Sequence, residues 1–502
     1  MTAPAGPNPS PSSSPSSSPH SSSSSFRGAT GEPALRRALG FRDLIVYGLL
    51  FIAPMAPVGI FGTLQAKSHG AIVAVYLVAT VAMAFTAFSY AQMVRVAPRA
   101  GSVFAYARTG LGEGAGFVAG WMAMLDYLLI PAVAYLFSGI AMHALVPSVH
   151  QWVWTAVAVA VTTLLNLWGV RAAAVVGLAV LALEIAVLAV FVGAAVWTLA
   201  ADGARRGWAA PFTGEGGFST GAVLSAVSVA VLSYLGFDAI ASFAEETAGG
   251  AARVARAVIT CLVVAGALFA VQTYLAALLA PMPAAELAAR PAEQGDAFYA
   301  TVDSAVGDWL HDLVAVSKAV GAAFAALAGQ AAAGRLLFAM ARDRRLPGAM
   351  AKVDAGSGVP RRALLGAALV TLVAAVWAAR RDDGLDHLSS IVNVGALTAF
   401  ALLHASVIGY FRFRGRPASA SSSPDAAAHA HPDALPDARP DALAGVLKHV
   451  AVPLLGLAVV IAVVVTASTT AQIVAVGWLA AGLLVLAAQH GGRRRRKAGA
   501  TG

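Results

Sequence analysis

Pro54, Pro57, Gly59 and Gly62 all fall in the stretch FIAPMAPVGIFG at 51–62, inside an otherwise apolar run. Proline removes a helical hydrogen bond and clashes with the preceding turn, and glycine adds backbone freedom. A helix unwound at such a point exposes N–H groups at the start of one half and C=O groups at the end of the other. The N–H end attracts a carboxylate, and the C=O end attracts an ammonium or another cation. One such break can therefore hold both charged ends of a zwitterion without a charged side chain. The alternative is a simple proline kink, but two prolines three apart followed by two glycines favour unwinding. A second interruption lies in SVAVLSYLGFDAIASFAEET at 228–247, where Gly236 and Asp238 sit mid-run.

Several ionisable groups share such apolar surroundings. Asp126 and Tyr127 lie in GWMAMLDYLLIP, Glu184 in LALEIAVLAV, and Lys318 and His404 in later runs. An acid at membrane depth is costly, and by default marks a function. Asp126, Glu184 and Asp238 are the candidates for carrying protons. For Glu184 the alternatives are a cationic partner or a carboxylic acid bonded to a neighbouring carbonyl. Tyr127 either closes over a ligand or packs in the core. Lys318 either snorkels outward or pairs with Glu184 or Asp126. His404 either titrates or makes structural hydrogen bonds. Glu245, Glu246, Arg253 and Arg256 read as a gate network at one end of the sixth run, or as solvated loop charges.

The elements that must hold these groups follow from composition. Of 502 residues, 58% are hydrophobic and 12% charged, too little charge to cover a soluble protein of this size. About 20 apolar residues cross a hydrocarbon core of about 30 Å, and such runs recur. We read an all-α polytopic membrane protein of twelve spans, near 42–66, 70–94, 116–142, 151–168, 173–199, 220–244, 257–280, 311–340, 362–379, 388–411, 449–468 and 472–489. ASTTAQ at 467–472 divides the last two. Residues 1–35 read as a disordered Ser/Pro-rich tail, 36–412 as the core, 413–447 as a low-complexity loop, 448–490 as two added helices and 491–502 as a basic tail.

An even span count puts both termini on one side. Of the 34 Lys and Arg residues, Lys67, Arg205, Arg206, Arg290, Arg380 and Arg381 fall on the other side, and Lys318 and Arg335 fall within spans. The excess of positive charge makes the terminal side cytoplasmic. The net charge of +9 sits between spans, so the terminal RRRRK reads as touching anionic lipid headgroups, or as having no role, rather than as binding nucleic acid. The single cysteine, Cys261, excludes a disulfide framework and a cysteine metal site. HAH at 429–431 lies in the low-complexity loop and reads as incidental; we expect no metal and no cofactor.

Two interrupted spans at corresponding places in two five-span halves are the mark of an inverted-repeat carrier, with repeats of about 42–200 and 220–411. VGIFG (58–62), GFDAIASFAEET with the later ARAVI, GRLLFAMARDRRLP (334–347) and NVGALTAFALLH (393–404) together resemble the amino acid–polyamine–organocation superfamily of permeases, over nearly all of 36–490. The resemblance implies a five-plus-five inverted repeat with broken helices 1 and 6, and carriage of amino acids or amines, often with protons. It implies that the N–H groups of Val58 and Gly59, with Ile60 beside them, face a substrate carboxylate. It likewise implies that the carbonyls of Met55 and Leu235 face the amine, and that Asp238 takes part in substrate handling. Glu184 falls where several proton-coupled members carry a lysine. Pro57 and Val58 depart from the family's Gly and Ser, which leaves one N–H donor fewer. Leu232 stands where an arginine–agmatine exchanger has a gating Trp.

The leading expectation is a proton-driven amino acid carrier of the plasma membrane that works by alternating access. An exchanger or importer of polyamines is the rival. A membrane-embedded enzyme lacks a catalytic cluster, a channel lacks a carbonyl filter, and an ATP-driven pump lacks a phosphate loop.

Overall fold

The structure, a computed structural model, describes residue 2 and residues 39–99, 101–146, 148–168, 170–354, 358–381, 384–414, 445–465 and 469–498. The expected N-terminal tail, the HAH loop and the side chains of Arg171 and RRRRK lie outside the described residues.

Among the described residues, twelve helices are long and apolar enough to cross a membrane. Spans 1 to 6 are Phe41–Lys67, Ile72–Val96, Glu113–His143, Gln151–Trp168, Val175–Ala201 and Thr220–Ser242. Spans 7 to 12 are Ala251–Leu279, Asp308–Arg342, Arg361–Ala379, His387–Phe413, Leu447–Val465 and Ala471–Gln489. Each matches an expected apolar run. Several run past it, because a helix continues beyond the hydrocarbon wherever its ends can be solvated or capped. Span 7 thus begins at Ala251 and takes Arg253 and Arg256 into its first turns.

Span 3 is the central post. It packs against spans 8 and 10, and also against spans 4, 9 and 12. Pro131 lies inside it. Span 1 packs on spans 5, 7 and 8, and span 2 on span 7. Span 12 is held to span 3 by a reciprocal pair: each indole of Trp121 and Trp478 donates to the other's carbonyl at 2.8 Å. The two rings stack at 4.7 Å.

Spans 1 and 6 are clasped to each other at both ends. At the end where span 1 starts, Leu39 donates to the Glu246 carbonyl at 2.9 Å and accepts from Ala248 at 2.8 Å. At the opposite end, Glu215 donates to the His69 carbonyl at 2.8 Å. We call the first the basic end and the second the far end.

Candidate functional site

Both expected breaks are present. In span 1 the α-helix stops at Ile52 and returns as a 3-10 turn over Ala56–Ile60, then as α-helix from Phe61. Ala53 takes φ 58°, ψ 109° between them, a costly conformation for a residue with a side chain. In span 6 the helix ends at Ala230, tightens to a 3-10 turn over Val231–Tyr234, and unwinds until Ala239. Gly236 has φ +118°, and a Cβ there would lie 2.8 Å from the Phe51 ring, so the chain needs glycine at this point.

Backbone groups freed in an apolar interior need partners. Buried Gln272 of span 7 donates to the Pro54 carbonyl at 2.8 Å. The Met55 carbonyl accepts the Val58 N–H at 3.1 Å and the Lys318 ammonium at 3.1 Å.

A cavity of about 60 Å³ lies between the two breaks. Span 1 supplies Ile52, Ala53, Ala56 and Ile60, and span 6 supplies Leu232, Ser233 and Leu235. Ile130, Val133 and Phe137 of span 3 and Lys318 and Ala322 of span 8 complete it. Phe137 and Lys318 also line a vestibule of about 600 Å³ toward the far end, with Gly59, Asp296, Asp303, His311 and Asp312. Phe137 therefore stands between the two spaces, with the Lys318 ammonium 5.2 Å from its ring centre. The Asp303 carboxyl in the vestibule is held above its ordinary range, chiefly by a hydrogen bond shared with Asp308.

The expected substrate-binding residues divide into four groups. Ile60 and Leu235 line the cavity, whereas Gly59 faces the vestibule. Met55 and Val58 are buried beside the cavity and bonded to each other. Tyr127 and Asp238 form a separate buried cluster. The Tyr127 hydroxyl donates to Asp238 Oδ2 at 2.5 Å, Tyr90 donates to the same oxygen at 3.3 Å, and the Gly236 N–H donates to Oδ1 at 3.2 Å. Asp126 is buried nearby, with an Oδ1 that accepts no hydrogen bond among the described residues.

Glu184 is 0% exposed, and neither oxygen has a hydrogen-bond partner among the described residues. Its carboxyl lies against the Cα of Gly321, one turn along span 8 from Lys318, and within electrostatic reach of that ammonium. Lys318 does not snorkel: it is 4% exposed and bonded inward. The stem is drawn in because the Met55 carbonyl at the break can accept a second hydrogen bond beside that of the Val58 N–H. His404 makes structural contacts, with Ser89 at 2.9 Å and Thr86 at 3.3 Å.

The acids Glu245 and Glu246 do form ion pairs, but not with Arg253 and Arg256. Arg342 makes two bonds to Glu245, at 2.6 and 3.0 Å, and Arg335 grips Glu246. Arg335 is also 4.1 Å from the Phe243 ring centre. Arg253 instead donates to the Ala248 carbonyl at 2.9 Å, and Arg253 and Arg256 line a recess with Arg42 and Asp43. Arg108 pairs with Asp343, and Arg345 with Glu113 at 2.6 Å, at the same end. The basic end is latched while the far end carries the vestibule.

Gln272, Phe137 and the two span 8 arginines were missed. A glutamine in VQTYL and an arginine in AGRLL were the available signals, since both are expensive at membrane depth. Nothing in the sequence singles out Phe137.

Residues 44–426 match the family model described as "Amino acid permease". A low-affinity putrescine importer of Escherichia coli (strain K12) is 29% identical over 77% of this chain and 83% of its own length. A branched-chain amino acid permease of Bacillus subtilis (strain 168) is also 29% identical, over 76% and 82%. An uncharacterized transporter of Mycobacterium tuberculosis is 31% identical over 76% and 82%. Equal identity to an amine carrier and an amino acid carrier leaves the choice between them to the site.

Proposed function

The chain belongs to the amino acid permease family, and from that premise we propose that it carries amino acids across the plasma membrane by alternating access, coupled to protons. The observation that carries this reading is the cavity enclosed by the two broken spans. Both termini are placed on the cytoplasmic side, which makes the latched basic end the inner gate and the vestibule the outer approach.

An inverted repeat of 42–200 and 220–411 is part of the proposal. Two matching helix starts support it. Gly112 before span 3 has φ 117°, ψ 176°, and Gly307 before span 8 has φ 117°, ψ 171°. Each glycine N–H reaches back to the carbonyl five residues earlier, Gly112 to Ala107 at 3.2 Å and Gly307 to Val302 at 3.3 Å. Under this reading spans 1, 2, 6 and 7 rock against spans 3, 4, 8 and 9 around the cavity. Glu184, beside Lys318 and without a hydrogen-bond partner among the described residues, is the proposed proton carrier, with Asp126 and Asp238 as the other acids at membrane depth.

Amine import is the second reading, favoured by the vestibule acids Asp296, Asp303 and Asp312. Uptake of labelled amino acids and polyamines into proteoliposomes, with and without an inward proton gradient, tests both. Gradient-stimulated amino acid uptake is expected. Uptake confined to diamines, or indifferent to the gradient, would overturn the amino acid or the proton part respectively.

A further inference from the structure

We propose that the Lys318 ammonium anchors the substrate's carboxylate, and that the substrate is an α-amino acid with an apolar side chain rather than a diamine. This rests on the transport reading above and names the substrate class of the same site.

Among the described residues that line the cavity, Lys318 is the one charged side chain. Asp126, Glu184 and Asp238 are buried but do not line it. A diamine entering here brings a second cation beside Lys318 and finds no carboxylate on the wall. The expected backbone cradle for a carboxylate is also incomplete. Pro57 has no N–H, and the Val58 N–H is already given to Met55 at 3.1 Å. A carboxylate in the cavity is thus short of those two donors, and Lys318 is positioned to supply one.

The partner that Lys318 now holds completes the logic. Its Nζ sits 3.1 Å from the Met55 carbonyl, in the unwound stretch between the α-helix that stops at Ile52 and the 3-10 turn that starts at Ala56. An incoming carboxylate draws the ammonium off that carbonyl and vacates it for the substrate's own ammonium. A zwitterion satisfies both groups in one exchange. A diamine competes for Met55 and strands Lys318, whereas an amine-free acid satisfies Lys318 alone. Apart from Ser233 the remaining wall is apolar, with Phe51, Ile60, Ile130, Val133, Leu232 and Leu235, and it suits an apolar side chain. The vestibule acids lie outside Phe137 and turn a zwitterion carboxylate-first toward Lys318.

The test uses the full chain in proteoliposomes, with labelled leucine, valine, serine and putrescine. Unlabelled 4-methyl-2-oxopentanoate (acid without amine) and 3-methylbutylamine (amine without acid) serve as competitors. Expected are leucine or valine uptake, competition by the oxoacid, and none by the amine or putrescine. Lys318→Met should lower that uptake at least tenfold and abolish competition by the oxoacid, while Lys318→Arg retains part of both. If Lys318→Met does not fold, the wild-type competition pattern still decides. Competition by the amine but not the oxoacid, or wild-type uptake by a well-folded Lys318→Met, overturns the anchor. Uptake of serine alone overturns the apolar class. Uptake of putrescine alone overturns the inference and leaves transport standing. Uptake of none of the four overturns the inference, and the transport reading falls only if the wider panel of amino acids and polyamines is not taken up either.

Discussion

Among the described residues Glu184 has no hydrogen-bond partner, and the Lys318 ammonium is within electrostatic reach. A carboxyl so placed is tolerated either neutral or opposite Lys318, so a proton taken up or released there changes what Lys318 can do. Glu184→Gln keeps the shape and removes the charge. Gradient-stimulated uptake should become insensitive to the gradient while substrate binding persists; unchanged stimulation, measured in the same vesicles, would make Glu184 structural. The depth of Asp126, Glu184, Asp238 and Lys318 was legible from the apolar residues on either side. Their directions were not. Span 8 is rich in alanine and glycine around its whole circumference, so no apolar stripe tells its inside from its outside. The inward turn of Lys318 depends on a carbonyl freed in span 1, far away in sequence.

The breaks were legible from Pro54, Pro57, Gly59, Gly62 and Gly236, because proline and glycine act locally. The start of the first break was not, since Ala53 adopts a positive φ that its residue type disfavours. A Cβ at Gly59 would sit 2.8 Å from the Phe137 ring. Gly59→Leu should push that ring into the vestibule and abolish substrate binding in a protein that still inserts; normal binding in a ligand-binding assay would separate the site from this break. The latch partners of Glu245 and Glu246 were misread for a similar reason. Sequence nearness pointed to span 7, whereas the fold brings span 8 alongside. Removing one member of a buried ion pair strands the other charge, at a cost of about 3–5 kcal/mol. Glu246→Gln should therefore lower the melting temperature in detergent by more than Glu245→Gln, because Arg335 is 4% exposed whereas the Arg342 side chain is 16% exposed.

For the whole molecule, the twelve spans were legible because bilayer thickness dictates their length, whatever they pack against. Their arrangement around span 3 was not, because lipid-facing and protein-facing apolar surfaces look alike in composition. Sidedness is testable with the chain's own chemistry. Cys261 is the sole cysteine and is buried, so an introduced surface cysteine is the one reactive thiol. Arg290→Cys at the far end should label with an impermeant maleimide in intact cells, and Lys352→Cys only after permeabilisation. The reverse pattern would invert the assigned orientation.

The two ends of the cavity are closed by unequal devices. Toward the far end stands one aromatic ring, which a side-chain rotation can swing aside. At the basic end stand ion pairs that must be broken and rehydrated together. Under the alternating-access reading the carrier then rests facing the far end, and the opening of the basic end, not the return that re-forms its ion pairs, sets the pace of each cycle. Preloading vesicles with unlabelled substrate changes only that return. Counterflow should accordingly run no faster than net uptake at the same external concentration, and a marked acceleration would put the slow step in the empty return instead.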